Sequence, residues 1–259
     1  MNSLRKIIES IQGKCVLHDE LSSSPISKVF LCLFNDVKAV IRIDLMLASK
    51  LAIDRKNEFR ILKNIAHLDL SPQVLYSDNL AGILIWKYIH GNKPVFDESG
   101  PMHNSLSELG RSLYLIHNLS MTQNSINVFS NSLDFYQKLS NKTANKFIFD
   151  NAINLYKELI DDGVKLVLCH NDLHQGNLLW DKKFYFLDWE FSALNHPCFD
   201  IASLIKTFQL TDRQIYHLSL GYGPNIKIFN LATLRKWIKF IEYLEMIWEL
   251  SIKKIQIDQ

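Results

Sequence analysis

Residues 166–180 read LVLCHNDLHQGNLLW, and residues 184–190 read FYFLDWE. The first stretch opens as an apolar strand that ends at His170. It then passes into a polar loop carrying Asp172 and Asn177. The second stretch is another apolar strand, and it ends at Asp188. Two carboxylates and an amide carbonyl thus gather where two strands stop. Hard oxygen donors of this kind suit Mg²⁺, which keeps several waters and is completed by substrate phosphates. A carboxylate left free of metal can take a proton from an attacking hydroxyl.

The order of the groups follows the logic of a phosphoryl-transfer loop: an Asp as base, an Asn on a metal, then a downstream Asp on the metal. A polar turn, with Asp and Asn bonding their own backbone, is the plain structural reading. A zinc hydrolase built on Cys169, His170, Asp172 and His174 is a third. No second His or Cys pair follows at ligand spacing to complete it. Glu190 reads either as an acid beside the metal and substrate or as a solvated loop acid.

Working outward, KVFLCLF (28–34) and VKAVIRI (37–43) are β-branched and apolar, and Asn35-Asp36 between them signals a tight hairpin. A helix is predicted over 52–66, where Phe59, Leu62 and Ile65 recur at helical spacing. Short strands fit 73–77 and 81–86. Gly91, Pro94, Gly100 and Pro101 punctuate the next stretch and place a boundary near 86–91. Beyond it the pattern predicts helices over 103–118, 131–139, 143–161, 198–208, 211–220 and 230–256, with strands over 165–169 and 184–187. The expectation is an α+β protein of two lobes, a small β-rich lobe over 1–90 and a larger helical lobe over 91–259.

Arg42 closes the second hairpin strand, and Glu58 lies on the helix that follows. Ile61, Leu62 and Ile65 set Glu58 at the border of the apolar face, where an acid requires a partner. A strand cation is suited to that place, and an arginine fork can also hold phosphate oxygens. His117, in LGRSLYLIHNL, reads as a core or helix-end histidine.

The segments HNDLHQGN (170–177), FLDWEF (186–191) and HPCFDIA (196–202) together resemble the aminoglycoside phosphotransferase and choline/ethanolamine kinase superfamily. LDWEFSALNHPCFDIA is most similar to the choline kinase and bacterial thiamine kinase branches. The resemblance covers 166–206, is traceable over 21–91 and fades toward the C-terminus. It implies a protein-kinase-like fold that binds ATP between its lobes. It implies Asp172 as catalytic base, Asn177 and Asp188 as Mg²⁺ ligands, and His170 as a brace for the loop. Asp200 would anchor that loop from a helix start, an ordinary helix cap being its other reading. Arg42 and Glu58 would form the strand–helix pair over the phosphates.

The family's glycine-rich phosphate loop would fall in ELSSSPISKVF (20–30), which holds Ser22, Ser23 and Ser24 and no glycine. Ser23 and Ser24 are the candidate phosphate contacts there, through amides or hydroxyls. The adenine hinge would cross near Trp86–Ile89, making Lys87 and Tyr88 candidate nucleotide contacts through their backbone.

The acceptor pocket is expected among the C-terminal helices, where Trp237, Phe240, Tyr243, Trp248 and Tyr222 supply aromatics and Glu242, Glu245 and Glu249 share a face. Core packing and a solvated acidic face are the alternatives. Aromatics with a few acids suit a small cationic alcohol. Residues 211–259 carry seven Lys or Arg against five Asp or Glu, so the segment is not acidic enough to favour a polycation. The reading is therefore an ATP-dependent kinase of a choline-, ethanolamine- or thiamine-type alcohol. An aminoglycoside phosphotransferase and a non-catalytic nucleotide-binding pseudokinase stand beside it.

Composition excludes other classes. The 259 residues are 47% hydrophobic and 22% charged, in the range of a globular domain. Lys and Arg number 29 against 27 acids, so no electrostatic footprint for nucleic acid is present. No apolar run approaches the ~18 residues of a membrane span. MNSLRKIIESIQGK reads as a short amphipathic helix rather than a signal peptide. The widely spaced Cys15, Cys32, Cys169 and Cys198 suggest reduced thiols and a cytoplasmic setting.

Overall fold

The computed structural model describes residues 2–51, 53–96, 103–121, 126–140, 146–223 and 228–257. Gly100 and Pro101, part of the predicted punctuation, lie outside the described residues. Helix α1 (Asn2–Glu9) is followed by strands β1 (Cys15–Ser23), β2 (Ser27–Phe34) and β3 (Val37–Asp44). Helix α2 (Arg55–Ile65), β4 (Val74–Asp78) and β5 (Ile83–Lys87) come next. The five strands form one antiparallel sheet in the order β1-β2-β3-β5-β4.

The β2–β3 turn forms where the sequence signals it. Asn35 and Asp36 both have positive φ, 48° and 63°, which matches the twist of a two-residue hairpin. Asp54 caps α2 by accepting from the Lys56 and Asn57 amides at 3.0 Å. The cap starts the helix three residues later than the periodicity predicts, and β1, too polar to read as a strand, is an addition to the predicted set.

The rest is mainly helical: α3 (His103–His117), α4 (Phe129–Ser140), α5 (Lys146–Ile160), α6 (Cys198–Phe208), α7 (Asp212–Tyr222) and α8 (Leu231–Ile257). Between α5 and α6 run β6 (Val167–Cys169), β7 (Leu178–Trp180), β8 (Phe184–Phe186) and β9 (Ala193–Asn195), with β6 paired to β9 and β7 to β8. Helices α3 and α7 approach so closely that a Cβ on Gly221 would lie 1.7 Å from the Ser107 carbonyl oxygen, so only glycine fits there. Helix α8, about 40 Å long at ~1.5 Å per residue, packs on α5 and α6.

The largest apolar cluster runs from Ile61, Leu62 and Ile65 on α2 through Phe184, Phe186 and Trp189 to Trp237 and Phe240 on α8. A second cluster lies on the sheet, around Phe30, Ile41, Ile43 and Ile85. The continuous core fixes α2 against the β6–β9 region, and that contact positions the site.

Candidate active site

The β6–β9 region carries the site because its strands are short and apolar while the links between them are polar. Strand β6 stops at Cys169, one residue short of His170, and β8 stops at Phe186, two short of Asp188. Asn171 (φ 63°) and Asp188 (φ 59°) both adopt the left-handed region, sparsely populated for residues with a Cβ. Such conformations persist where surrounding contacts impose them.

Those contacts are explicit. Asp200, in the first turn of α6, accepts from the backbone N–H of His170 at 2.8 Å and of Asn171 at 2.9 Å. Its Oδ2 also meets His117 Nε2 at 3.1 Å, and His117 Nδ1 meets the Tyr222 hydroxyl at 2.8 Å. Asp200 therefore ties the loop to α6, and its carboxylate is not the cap of its own helix, whose N-cap is Pro197 with no side-chain bond. His170 is fully buried and donates from Nε2 to the Leu187 carbonyl at 2.8 Å, linking the loop to the residue before Asp188. Burial holds its pKa below the ordinary histidine value. Cys169 instead turns its thiol toward the Asn195 and His196 carbonyls, so the zinc set does not converge.

Asn177 Nδ2 donates to the Asp172 carboxylate Oδ2 at 2.8 Å and to the Asp172 carbonyl at 2.9 Å. This fixes one carboxylate oxygen and leaves Oδ1 and the Asn177 carbonyl as further oxygen donors. Asp172 and Asp188 line one cleft of about 490 Å³. Burial, and then the Asp188 charge, push the Asp172 carboxyl up to about 7. Two acids in such conflict, beside an amide oxygen, fit a divalent cation.

On the sheet side, Arg42 is 2% exposed and pairs with Glu58 through two bonds of 2.9 and 2.5 Å. Its Nη1 also donates to Asp188 Oδ1 at 2.8 Å. Burial alone would raise the Glu58 pKa, but Arg42 and then Arg55 hold it below the ordinary carboxylate value. Arg55, which sequence reading did not single out, grips Asp44 with two bonds of 2.7 and 2.6 Å and reaches Glu58 at 3.0 Å and Glu190 at 2.7 Å. Glu190 is thus a buried, paired acid rather than a solvated one.

Ser23 and Ser24 line the same cleft. The amides at the tip of that loop, however, are turned inward. Ser24 N–H donates to the Ser27 carbonyl, Ser24 Oγ accepts from the Ile26 and Ser27 amides, and Pro25 has no N–H. The loop therefore turns these amides and the Ser24 hydroxyl on itself, and leaves the Ser23 hydroxyl for the cleft. Lys87 and Tyr88 do not line that cleft, and their amides donate to the Gln73 and Lys38 carbonyls.

Of the aromatics expected around an acceptor, Trp248 lines this cleft, and Glu245 is the one acid of its group there. Trp237, Phe240 and Tyr222 are core residues at 0, 0 and 6% exposure, and Tyr243 lies outside the cleft beside Lys239. Helical periodicity buries Trp237 and Phe240, because the apolar stripe of α8 faces α5 and α6. The aromatics that join Trp248 are Tyr136 and Phe191, with ring centroids 6.5 and 5.3 Å from it.

A sheet of this topology, an Arg–Glu pair beneath it, and a cleft lined by Asp172 and Asp188, with Asn177 held against Asp172 but outside the lining, fit a kinase-like phosphotransferase architecture. The family model described as "Phosphotransferase enzyme family" matches residues 38–237, and the chain belongs to that family. It is 30% identical over 153 residues to protein LicA of Haemophilus influenzae, covering 56% of this chain and 57% of that protein. The match thus spans little more than half the length of this curated relative. The fold is similar to that of choline kinase LicA from Streptococcus pneumoniae, with TM-score 0.78, 18% identity, and coverage of 98% of this chain and 91% of the other. It is also similar to a streptomycin–ATP ternary complex of APH(2")-IIa, with TM-score 0.65, 15% identity, and coverage of 98% and 94%. Among the described residues, no helix is long and apolar enough to cross a membrane.

Proposed function

We propose that the protein transfers the γ-phosphoryl group of ATP to the hydroxyl of a small cationic alcohol of the choline or ethanolamine type. The observation that carries the reading is the shared cleft of Asp172, Asp188 and the aromatic trio Tyr136, Phe191 and Trp248. A quaternary ammonium is held by ring faces and a few acids, and the same cleft sets a carboxylate at the reacting end. The likeness to LicA supports this class over an aminoglycoside acceptor.

Asn177 and Asp188 would hold Mg²⁺, which when bound offsets charge on the β- and γ-phosphates. Arg42 adds a fixed cation at the same edge, aimed by Glu58. Asp172 orients the acceptor hydroxyl and takes its proton at Oδ1, the oxygen that Asn177 does not hold. His170 keeps the loop in register through the Leu187 carbonyl. Ser23 contacts phosphate through its hydroxyl, while the Ser24 hydroxyl, held by the Ile26 and Ser27 amides, shapes the loop. In this reading residues 1–90 serve the nucleotide and 91–259 the catalytic and acceptor groups. Lys87 and Tyr88 serve as the backbone crossing between them.

The inward amides of the serine loop favour a second reading, a nucleotide-binding module without turnover. One experiment separates the two. ATP consumption with Mg²⁺ is measured across choline, ethanolamine, thiamine and several aminoglycosides. Turnover with one monocationic alcohol is the expected result. Mg–ATP binding with no turnover on any acceptor supports the second reading.

A further inference from the structure

The acids of the cleft differ in what they have left to offer a ligand. Asp188 is paired with Arg42 at 2.8 Å, and Glu190 with Arg55 at 2.7 Å. Glu245, on α8, is paired with Lys206, on α6, at 2.6 Å, and both side chains line the cleft. Among the described residues, Asp172 alone of these acids has no Lys or Arg partner, His174 lying 3.7 Å away. The cleft therefore presents one spare carboxylate, together with aromatic faces that suit a single cationic group.

The Lys206–Glu245 pair differs from the other two. Both side chains are partly exposed, at 29% and 57%, so the pair sits at the mouth of the cleft, not in its buried floor. A ligand with several ammonium groups would need acids at that mouth, and Lys206 both occupies the available one and repels the ligand.

We propose that Lys206 is a specificity-determining residue that closes the acceptor cleft to polycations by neutralising Glu245. This rests on the acceptor-cleft reading above. Lysine at this position leaves a single cationic alcohol unaffected at the aromatic trio, while it denies a polyamino ligand its second anchor. Removing the lysine exposes Glu245 and turns the mouth acidic.

The test is calorimetric titration of streptomycin, as the polycationic probe, onto the full-length protein with Mg²⁺ and a non-hydrolysable ATP analogue. Wild type, Lys206→Met, Glu245→Gln and the double variant are compared, with thermal melts to confirm folding. Lys206→Met is expected to bind about tenfold more tightly, between the near-zero effect of a solvated pair and the larger effect of a buried one. Glu245→Gln and the double variant should bind no more tightly than wild type. An unchanged affinity for Lys206→Met, or a gain that survives in the double variant, overturns the proposal. Should Lys206→Met not fold, Lys206→Gln is read by the same criteria. Phosphocholine formation, measured separately, reports on the acceptor reading, so its absence does not mimic failure of the charge argument.

Discussion

Arg42 Nη1 lies 2.8 Å from Asp188 Oδ1 and joins the sheet to the loop after β8. The same guanidinium is clamped by Glu58, so an acid on α2 aims a strand cation at the group proposed to hold the metal. The chain separation of 146 residues shows why this link depends on the complete fold.

Arg42→Met is expected to lower stability by about 3–5 kcal/mol, because it leaves buried carboxylates without their main partner. Arg42→Lys should recover part of that loss but not the two-point hold on Glu58. Thermal unfolding reads the first effect. The KM for ATP, expected to rise in both variants, reads the second.

The pH dependence follows from Asp172. Its carboxyl is pushed up to about 7, first by burial and then by Asp188. Turnover requires the deprotonated form, so kcat/KM should climb through pH 6 to 7 and level off above about pH 7.5. The sign for stability is opposite. The folded state binds this proton more tightly than the unfolded chain, so the contribution is full below the ordinary carboxylate value of 3.8 and is lost as pH rises through about 7. Asp172→Asn should therefore gain stability relative to wild type between pH 5 and 8 while losing activity. A melting-temperature difference that stays flat with pH would contradict the assignment.

Asp200→Asn replaces an acceptor of two backbone N–H bonds and a histidine contact with a group that turns a donor toward donors. A loss of about 2–4 kcal/mol is expected, with kcat falling about a hundredfold as the loop loses register. Denaturant unfolding and steady-state kinetics measure the two effects.

Ser24→Ala frees the Ile26 and Ser27 amides from the hydroxyl that now holds them. The KM for ATP should fall about threefold, the scale of one net hydrogen bond. A rise in KM would instead show that the hydroxyl itself holds phosphate.

Much of the site was legible because its chemistry is local in sequence. Asp172, Asn177 and Asp188 lie within one strand–loop–strand run, and Glu58 stood out as an acid bordering an apolar face. Arg55 gave no such signal. At the start of a helix it looks solvated, and its partner Glu190 lies 135 residues away. Tyr136 and Phe191 were equally silent, since an aromatic in a helix or loop does not announce which cavity it enters. Trp237 and Phe240 are core residues, the reading that their helical spacing favoured for each taken alone. The β2–β3 hairpin was readable from Asn35-Asp36, whereas β9, three residues long, owes its existence to pairing with β6.

The central claim is that Asp172 and Asp188 act together on a nucleotide-bound divalent ion and an acceptor hydroxyl. The most direct measurement is the Mg²⁺ dependence of phosphoryl transfer from ATP to choline or ethanolamine by wild type, Asp172→Asn and Asp188→Asn. The account predicts one phosphorylated alcohol and one ADP for each ATP consumed by wild type. Asp172→Asn should bind Mg–ATP normally yet turn over at least ~10³-fold more slowly, and Asp188→Asn should lose its response to Mg²⁺. Wild-type rates from Asp172→Asn, or an unaltered Mg²⁺ dependence in Asp188→Asn, would contradict it.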